Sequence, residues 1–265
     1  MKRALVVLSL AGALSIPSCA GDARSSERKV AGGRSRTVVL ELFTSQGCSS
    51  CPPADALLSR LRREDFRGST VIPLAYHVDY WNHLGWSDPF SSPRWSQRQR
   101  LYTKALRDQV YTPQLIINGA VPLVGSADGP IHAEIERQLE GADRGAVFID
   151  RIALAGNGIT VDLRARLDVR KSGSPANVVV VLFENGVTTA VASGENARRS
   201  LTNDAIVRWQ DAKLALSANG VESKATVTIP LSPGWRADRL GVAAFIQDSV
   251  SLAIHASAAR GVGEK

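Results

Sequence analysis

The sequence predicts two folded parts, an α/β unit over residues 37–143 and an all-β, antiparallel, sandwich-like unit over residues 146–260. Three observations predict them. In the first half, apolar runs of strand length alternate with helical periodicity, the order that lays helices over a largely parallel sheet. From Ala146 onward, apolar and polar residues alternate over many short runs separated by turn residues, the pattern of antiparallel sheets. A chain of 265 residues with 44% hydrophobic and 22% charged content is long enough and apolar enough to bury a core for either part.

The first residues read as a targeting segment. Met1-Lys2-Arg3 is basic, residues 4–16 are apolar, and Ser18-Cys19-Ala20 supplies small residues for cleavage. Residues 1–20 are thus expected to form a signal peptide, too short for a lasting membrane span, and the protein to be periplasmic or secreted. Ile16-Pro-Ser-Cys19 also resembles a lipoprotein processing box, which would make Cys19 a lipid anchor. Residues 21–36, rich in Gly, Ser, Arg and Ala without periodicity, read as a flexible leader. No other window is long and apolar enough to cross a bilayer. Losing Lys2 and Arg3 with the signal lowers the formal charge from +7 to +5. The remaining excess is scattered arginine, densest at Arg94, Arg98, Arg100 and Arg107, and reads as a solvated helix face. Without interleaved aromatic residues it gives no nucleic-acid interface.

Residues 38–43 form a nearly continuous apolar run, expected as a strand buried on both faces. A helix follows over 54–63 and a second strand over 70–76, where Pro73 argues for an edge position or a bulge. An aromatic loop, 82–92, leads into a helix over 93–107. Strand 114–118 ends at Asn118-Gly119, a tight-turn signal that returns 121–124 antiparallel. A last helix over 128–139 stops at Gly141. The second half is read as strands at 147–153, 159–167, 177–184, 205–210, 213–218, 225–231, 240–247 and 251–257.

The chemistry concentrates at Cys48-Ser-Ser-Cys51, between the first strand and the first helix. A helix N-terminus presents unpaired N–H groups and the positive end of a dipole, which favour thiolate over thiol. Cys48 there becomes nucleophilic, and Cys51, one turn on, can resolve a mixed disulfide. A zinc site would need further ligands at ligating spacing, and the other cysteine, Cys19, lies in the targeting segment. His77 and His83 are candidates to stabilise the Cys48 thiolate or to be satisfied structural groups.

Residues 37–143 resemble the thioredoxin superfamily through this Cys pair and through Thr112-Pro113-Gln114-Leu-Ile-Ile-Asn118-Gly119. The resemblance implies a thioredoxin-like α/β fold, a cis bond between Thr112 and Pro113 beside the thiols, and a Thr112 backbone offered to an extended substrate. It also implies an acid on the strand before the cysteines that moves the resolving thiol's proton. Glu41 is the charged residue of that run, and it either takes this role or pairs with a nearby arginine or faces solvent. More closely, roughly residues 38–257 are similar to a bacterial family of secreted proteins classed as a domain of unknown function. That similarity is carried by Glu41-Leu-Phe-Thr-Ser-Gln-Gly-Cys-Ser-Ser-Cys-Pro-Pro-Ala-Asp55, Tyr76-His-Val-Asp-Tyr-Trp81, Tyr111-Thr-Pro-Gln114, Glu184-Asn-Gly-Val-Thr-Thr189 and Ser193-Gly-Glu-Asn196. It implies no activity.

Three functions follow as expectations. The first is an exported thiol–disulfide oxidoreductase acting on protein or peptide thiols and disulfides, with Cys48, Cys51, Glu41, Thr112 and Pro113 at its site. The second is a copper-binding module using Cys48 and Cys51 with His77 or His83, since thiolates and imidazole suit Cu(I). The third is a non-catalytic secreted binding protein whose β half presents residues 184–196 to a partner.

Overall fold

Thr37–Thr44 (β1) is buried at every position after its first, as an apolar run covered on both faces must be. The computed structural model that places it describes residues 1, 36–66, 68–168 and 175–264. The expected signal peptide, its Cys19 and all of the leader but Arg36 lie outside the described residues. After β1 come α1 (Pro52–Leu61), β2 (Thr70–His77), α2 (Pro93–Leu106), β3 (Gln114–Ile117), β4 (Val121–Val124) and α3 (Asp128–Leu139). The second half supplies β5 (Gly145–Ala155), β6 (Gly158–Leu167), β7 (Ala176–Glu184), β8 (Val187–Ala190) and β9 (Ser200–Asn203). It continues with β10 (Ile206–Leu216), β11 (Glu222–Pro230), β12 (Leu240–Asp248) and β13 (Ile254–Gly261).

Eight of these strands form one mixed sheet in the order β13-β12-β7-β10-β2-β1-β3-β4. The expected succession, a thioredoxin-like α/β fold followed by an all-β sandwich-like unit, is therefore corrected. The protein is mostly β and is built on a single sheet that both halves share. The join is β2 against β10, where Ile206 pairs with Ala75 in parallel and the Ala75 amide donates to the Ala205 carbonyl at 2.8 Å. A pairing so distant along the chain leaves no mark in local periodicity.

Pro73 is compatible with this join. It lies on β2 with the same parity as Ala75, so its missing N–H would have pointed toward β10. The β2–β10 ladder is confined to Ala75, and Pro73 instead borders a cleft with Phe183, Leu240 and Gly241. β2 is thus an inner strand, not at the edge position that Pro73 suggested as one of its two explanations. The Asn118-Gly119 turn does form, with both residues at positive φ (46° and 66°), and β3 and β4 pair antiparallel across it.

Parity along the strands assigns the layers. Val39 and Phe43 of β1, Val179, Val181 and Phe183 of β7, and Ala243 and Phe245 of β12 share a core with Trp95 and Tyr102 of α2. On the opposite face, Val38, Leu40 and Leu42 pack under Leu57, Leu58 and Leu61 of α1 and Ile131 and Ile135 of α3. That same face, farther along the sheet, buries Val178, Val180 and Leu182 of β7 against a three-stranded sheet of order β11-β6-β5. One helix therefore covers one face, while two helices and a small sheet share the other. Strands β8 and β9, which periodicity missed, form a separate hairpin, and the two short strands expected at 205–210 and 213–218 are the single strand β10 with two bulges. Among the described residues no helix is long and apolar enough to cross a membrane.

Candidate active site around Cys48 and Cys51

The chain leaves β1 at Thr44, makes two tight turns through Ser45–Ser50 and starts α1 with Cys51 at its N-cap. The Cys48 amide donates to Ser45 O and the Cys51 amide to Cys48 O, both at 3.2 Å. The Cys51 carbonyl then accepts from Ala54 and Asp55, at 2.9 and 3.1 Å, and opens the helix. Pro52 and Pro53 fit because the first helical positions need no intrahelical N–H bond. Both thiols are free and fully buried.

The two sulfurs are made unequal by their surroundings. Around Cys48 Sγ stand Ser50 Oγ at 3.2 Å and Thr112 Oγ1 at 3.4 Å. Thr112 is oriented in turn by the Trp81 indole, which donates to its hydroxyl at 2.8 Å. The Thr112–Pro113 bond is cis, and Pro113 is buried. A hydrogen bond from the Cys51 thiol, opposed by burial and aided by Ser50 and Thr112, brings the Cys48 pKa down to about 6. Cys51 moves the other way. Burial, the proton it donates to Cys48, and the charges of Cys48 and Asp55 all push its thiol well above the usual range.

Residues far along the chain close over this loop. The buried Asn196 side chain donates from Nδ2 to the carbonyls of Gln46 and Cys48, both at 2.9 Å. Glu195 accepts from the Ser49 amide at 2.9 Å, and Gln46 Nε2 donates to Asn203 Oδ1 at 3.0 Å. The Ser193 hydroxyl donates to the Gly85 carbonyl. Gly85 and Gly194 meet there, both at positive φ, and a Cβ on Gly194 would lie 3.0 Å from Trp86 Cβ. Ser193-Gly-Glu-Asn196, part of the stretch expected to face a partner in the binding-protein reading, braces the cysteine loop.

Strand parity also sorts the acids and histidines. Glu41 shares the parity of Val39 and Phe43, so it faces α2 and not the thiols at the start of α1. There it is fully buried, accepts from Arg98 Nε at 2.7 Å and is hydrogen-bonded by the Tyr102 hydroxyl. Arg98, expected on a solvated face, is instead 10% exposed and lies over the rings of Tyr76, Tyr102 and Phe245. The acid on the thiol side is Asp55, one helical turn after Cys51. Burial raises its pKa to about 7, against the pull of the His77 charge and the Thr44 hydroxyl.

His77 is fully buried, and its Nδ1 lies 2.7 Å from Asp88 Oδ2. Its partner is therefore a carboxylate rather than Cys48. His83 is exposed on the short 3-10 turn Asn82–Leu84. Among the described residues no three or more His, Cys, Asp or Glu side chains gather as a group able to hold a metal ion. Sequence reasoning gave no role at the thiols to Asp55, Asp88 or Asn196. For Asp55 the signal was present, since a position four after Cys51 returns to the same helix face. Asp88 and Asn196 reach the site from loops, where no periodicity places a side chain.

The chain matches the family described as "Protein of unknown function (DUF1223)" over residues 39–247, and it belongs to that family. Among solved structures it is similar to protein AGR_C_4864 from Agrobacterium tumefaciens, at 30% identity and a TM-score of 0.63, over 86% of this chain and 95% of that one. HBP35 of Porphyromonas gingivalis shares the fold, at 16% identity and a TM-score of 0.70, over 87% of this chain and 76% of that one. No curated protein matches the sequence.

Proposed function

We propose that the protein is a thiol–disulfide exchange protein acting on protein or peptide disulfides and thiols. The observation that carries this reading is the unequal pair: Cys48 held toward thiolate by three donors, Cys51 held as thiol beside a buried carboxyl group. Structural cysteines need no such division, whereas exchange needs an attacking sulfur and a resolving one.

The Cys48 thiolate attacks one sulfur of a substrate disulfide. That bond breaks, the departing sulfur leaves as thiolate and takes a proton from water, and a mixed disulfide remains on Cys48. Cys51 then gives its proton to the Asp55 carboxylate and attacks the Cys48 sulfur. The second substrate sulfur leaves, so the substrate has gained two electrons and the Cys48–Cys51 pair has become a disulfide. Run in reverse, the same steps oxidise a substrate dithiol. Thr112, whose hydroxyl touches Cys48, lines the approach together with the exposed Ser49 and Ser50. Because the site acts on exported thiols in this reading, the signal peptide expected at residues 1–20 belongs with it.

The test is a trap. Cys51→Ser removes the resolving thiol, so reduced protein mixed with a disulfide-bonded peptide should retain that peptide on Cys48, releasable by dithiothreitol. Cys48→Ser should retain none. Equal capture by both variants would defeat the assignment of roles.

A further inference from the structure

Among the described residues, three buried polar atoms near the thiols lack a hydrogen-bond partner at ordinary hydrogen-bond geometry: Thr44 Oγ1, Asp55 Oδ1 and His77 Nε2. They come together because Thr44 and His77 are register partners at the ends of the parallel strands β1 and β2. Both follow the parity of Leu42 and Ala75, which pack against α1, so both side chains face the first turn of that helix, where Asp55 sits. Unpaired polar atoms at this depth are uncommon and call for an explanation. On the far side of the imidazole everything is satisfied. Asp88 binds His77 Nδ1 through Oδ2, which also accepts from the Gln46 amide at 2.8 Å, while Oδ1 accepts from the Phe90 amide at 2.9 Å.

We propose that His77, held by Asp88, is a positioning residue that supplies the countercharge allowing Asp55 to stand as a carboxylate beside Cys51. The inference rests on the exchange reading and extends it from the cysteines to a buried Asp88–His77–Asp55 relay. With His77 protonated and both acids ionised the relay carries one negative charge, and it becomes neutral when Asp55 takes the Cys51 proton. The groups around it fit this assignment. From the cysteine loop come Cys48 and Cys51, from β1 the Thr44 hydroxyl, and from β10 Arg208, which pairs with Glu184 of β7 at 2.7 Å and opposes the imidazolium charge. Phe90 covers the imidazole edge-on, with ring centroids 5.3 Å apart, and helps keep water from it. Burial works against the charge on His77, yet Asp88, through its charge and hydrogen bond, and Asp55 together hold its pKa above the ordinary value.

The experiment loads reduced protein with oxidised glutathione and follows, across pH 5 to about 9, the expulsion of glutathione from Cys48 by Cys51. In the native sequence the rate should rise with pH as Asp55 ionises, with a midpoint near 7. His77→Gln and Asp88→Asn each weaken the countercharge, so each should move that midpoint upward by about one pH unit or more. Alkylation of Cys48 should keep its own pH profile, which a merely disrupted fold would not. A second measurement needs no variant: in nitrogen-15-labelled native protein, both ring nitrogens of His77 should carry protons at pH 7. Glutathione profiles that coincide with the native one, or a neutral His77 at that pH, overturn the inference while leaving exchange intact. If glutathione never adds to native Cys48, the exchange reading itself fails and the relay fails with it.

Discussion

The side-chain amide of Asn196 holds the carbonyl of Cys48 at 2.9 Å, and with the same nitrogen it holds the carbonyl of Gln46. A residue from the β-rich half thus fixes the backbone that carries Cys48. Removing it leaves two buried acceptors short of a donor. Asn196→Ala is expected to lower stability by about 1–3 kcal/mol and to speed alkylation of native Cys48 as the loop loosens. Asn196→Asp should be worse than alanine, because a carboxylate would then face two carbonyl oxygens. Chemical denaturation and timed iodoacetamide labelling check both.

Cys48 reactivity should track its thiolate. Alkylation should rise through a midpoint near pH 6. Thr112→Val removes one hydroxyl donor and should move that midpoint upward. The absolute rate should stay below that of an exposed thiol of equal acidity, because Cys48 is fully buried.

Burying the Asp55 carboxyl group costs the fold stability once the group is ionised. Its folded pKa is about 7, against about 3.8 for the free group. Between these values the folded state binds more protons than the unfolded chain, so stability falls as pH rises from about 4 to about 7 and is level above. Asp55→Asn should therefore raise the melting temperature at pH 8, by an amount worth a few kcal/mol, since each tenfold change in acidity on folding is worth about 1.4 kcal/mol. The same substitution should change little at pH 4. An asparagine variant less stable at pH 8 than the parent would contradict this assignment.

Glu41 separates stability from chemistry. Its pairing with Arg98 is buried, and breaking such a pair costs about 3–5 kcal/mol. Glu41→Gln should lose stability on that scale when unfolded in urea. The pH profile of Cys48 alkylation should be unchanged, because Glu41 faces α2 across the sheet from the thiols.

Much of the site was legible in the residues themselves. The run 38–43, the two cysteines, Pro52-Pro53 and the apolar positions of α1 specify strand, turn and helix by local rules, and those elements formed where they were expected. Telling which buried acid lies on the thiol side required counting faces. Glu41 and the thiols lie on opposite sides of β1 by parity, whereas Asp55 returns to Cys51 after one turn of helix. What no local rule contains is the pairing of Ala75 with Ile206, which merges the two halves into one sheet. The same distance hides Asn196 and Glu195, whose sequence looks like an ordinary polar turn until it is seen against Ser49 and Cys48. The carboxylate partner of His77, Asp88, becomes visible only in the folded chain, because it comes from a loop eleven residues on.

The most direct test of the exchange reading is the reduction potential of the Cys48–Cys51 pair, from equilibration with glutathione buffers followed by thiol alkylation. Catalytic exchange predicts a value between about −100 and −280 mV, the range of known exchangers. A pair that stays oxidised well below about −300 mV behaves as a structural staple and would contradict it.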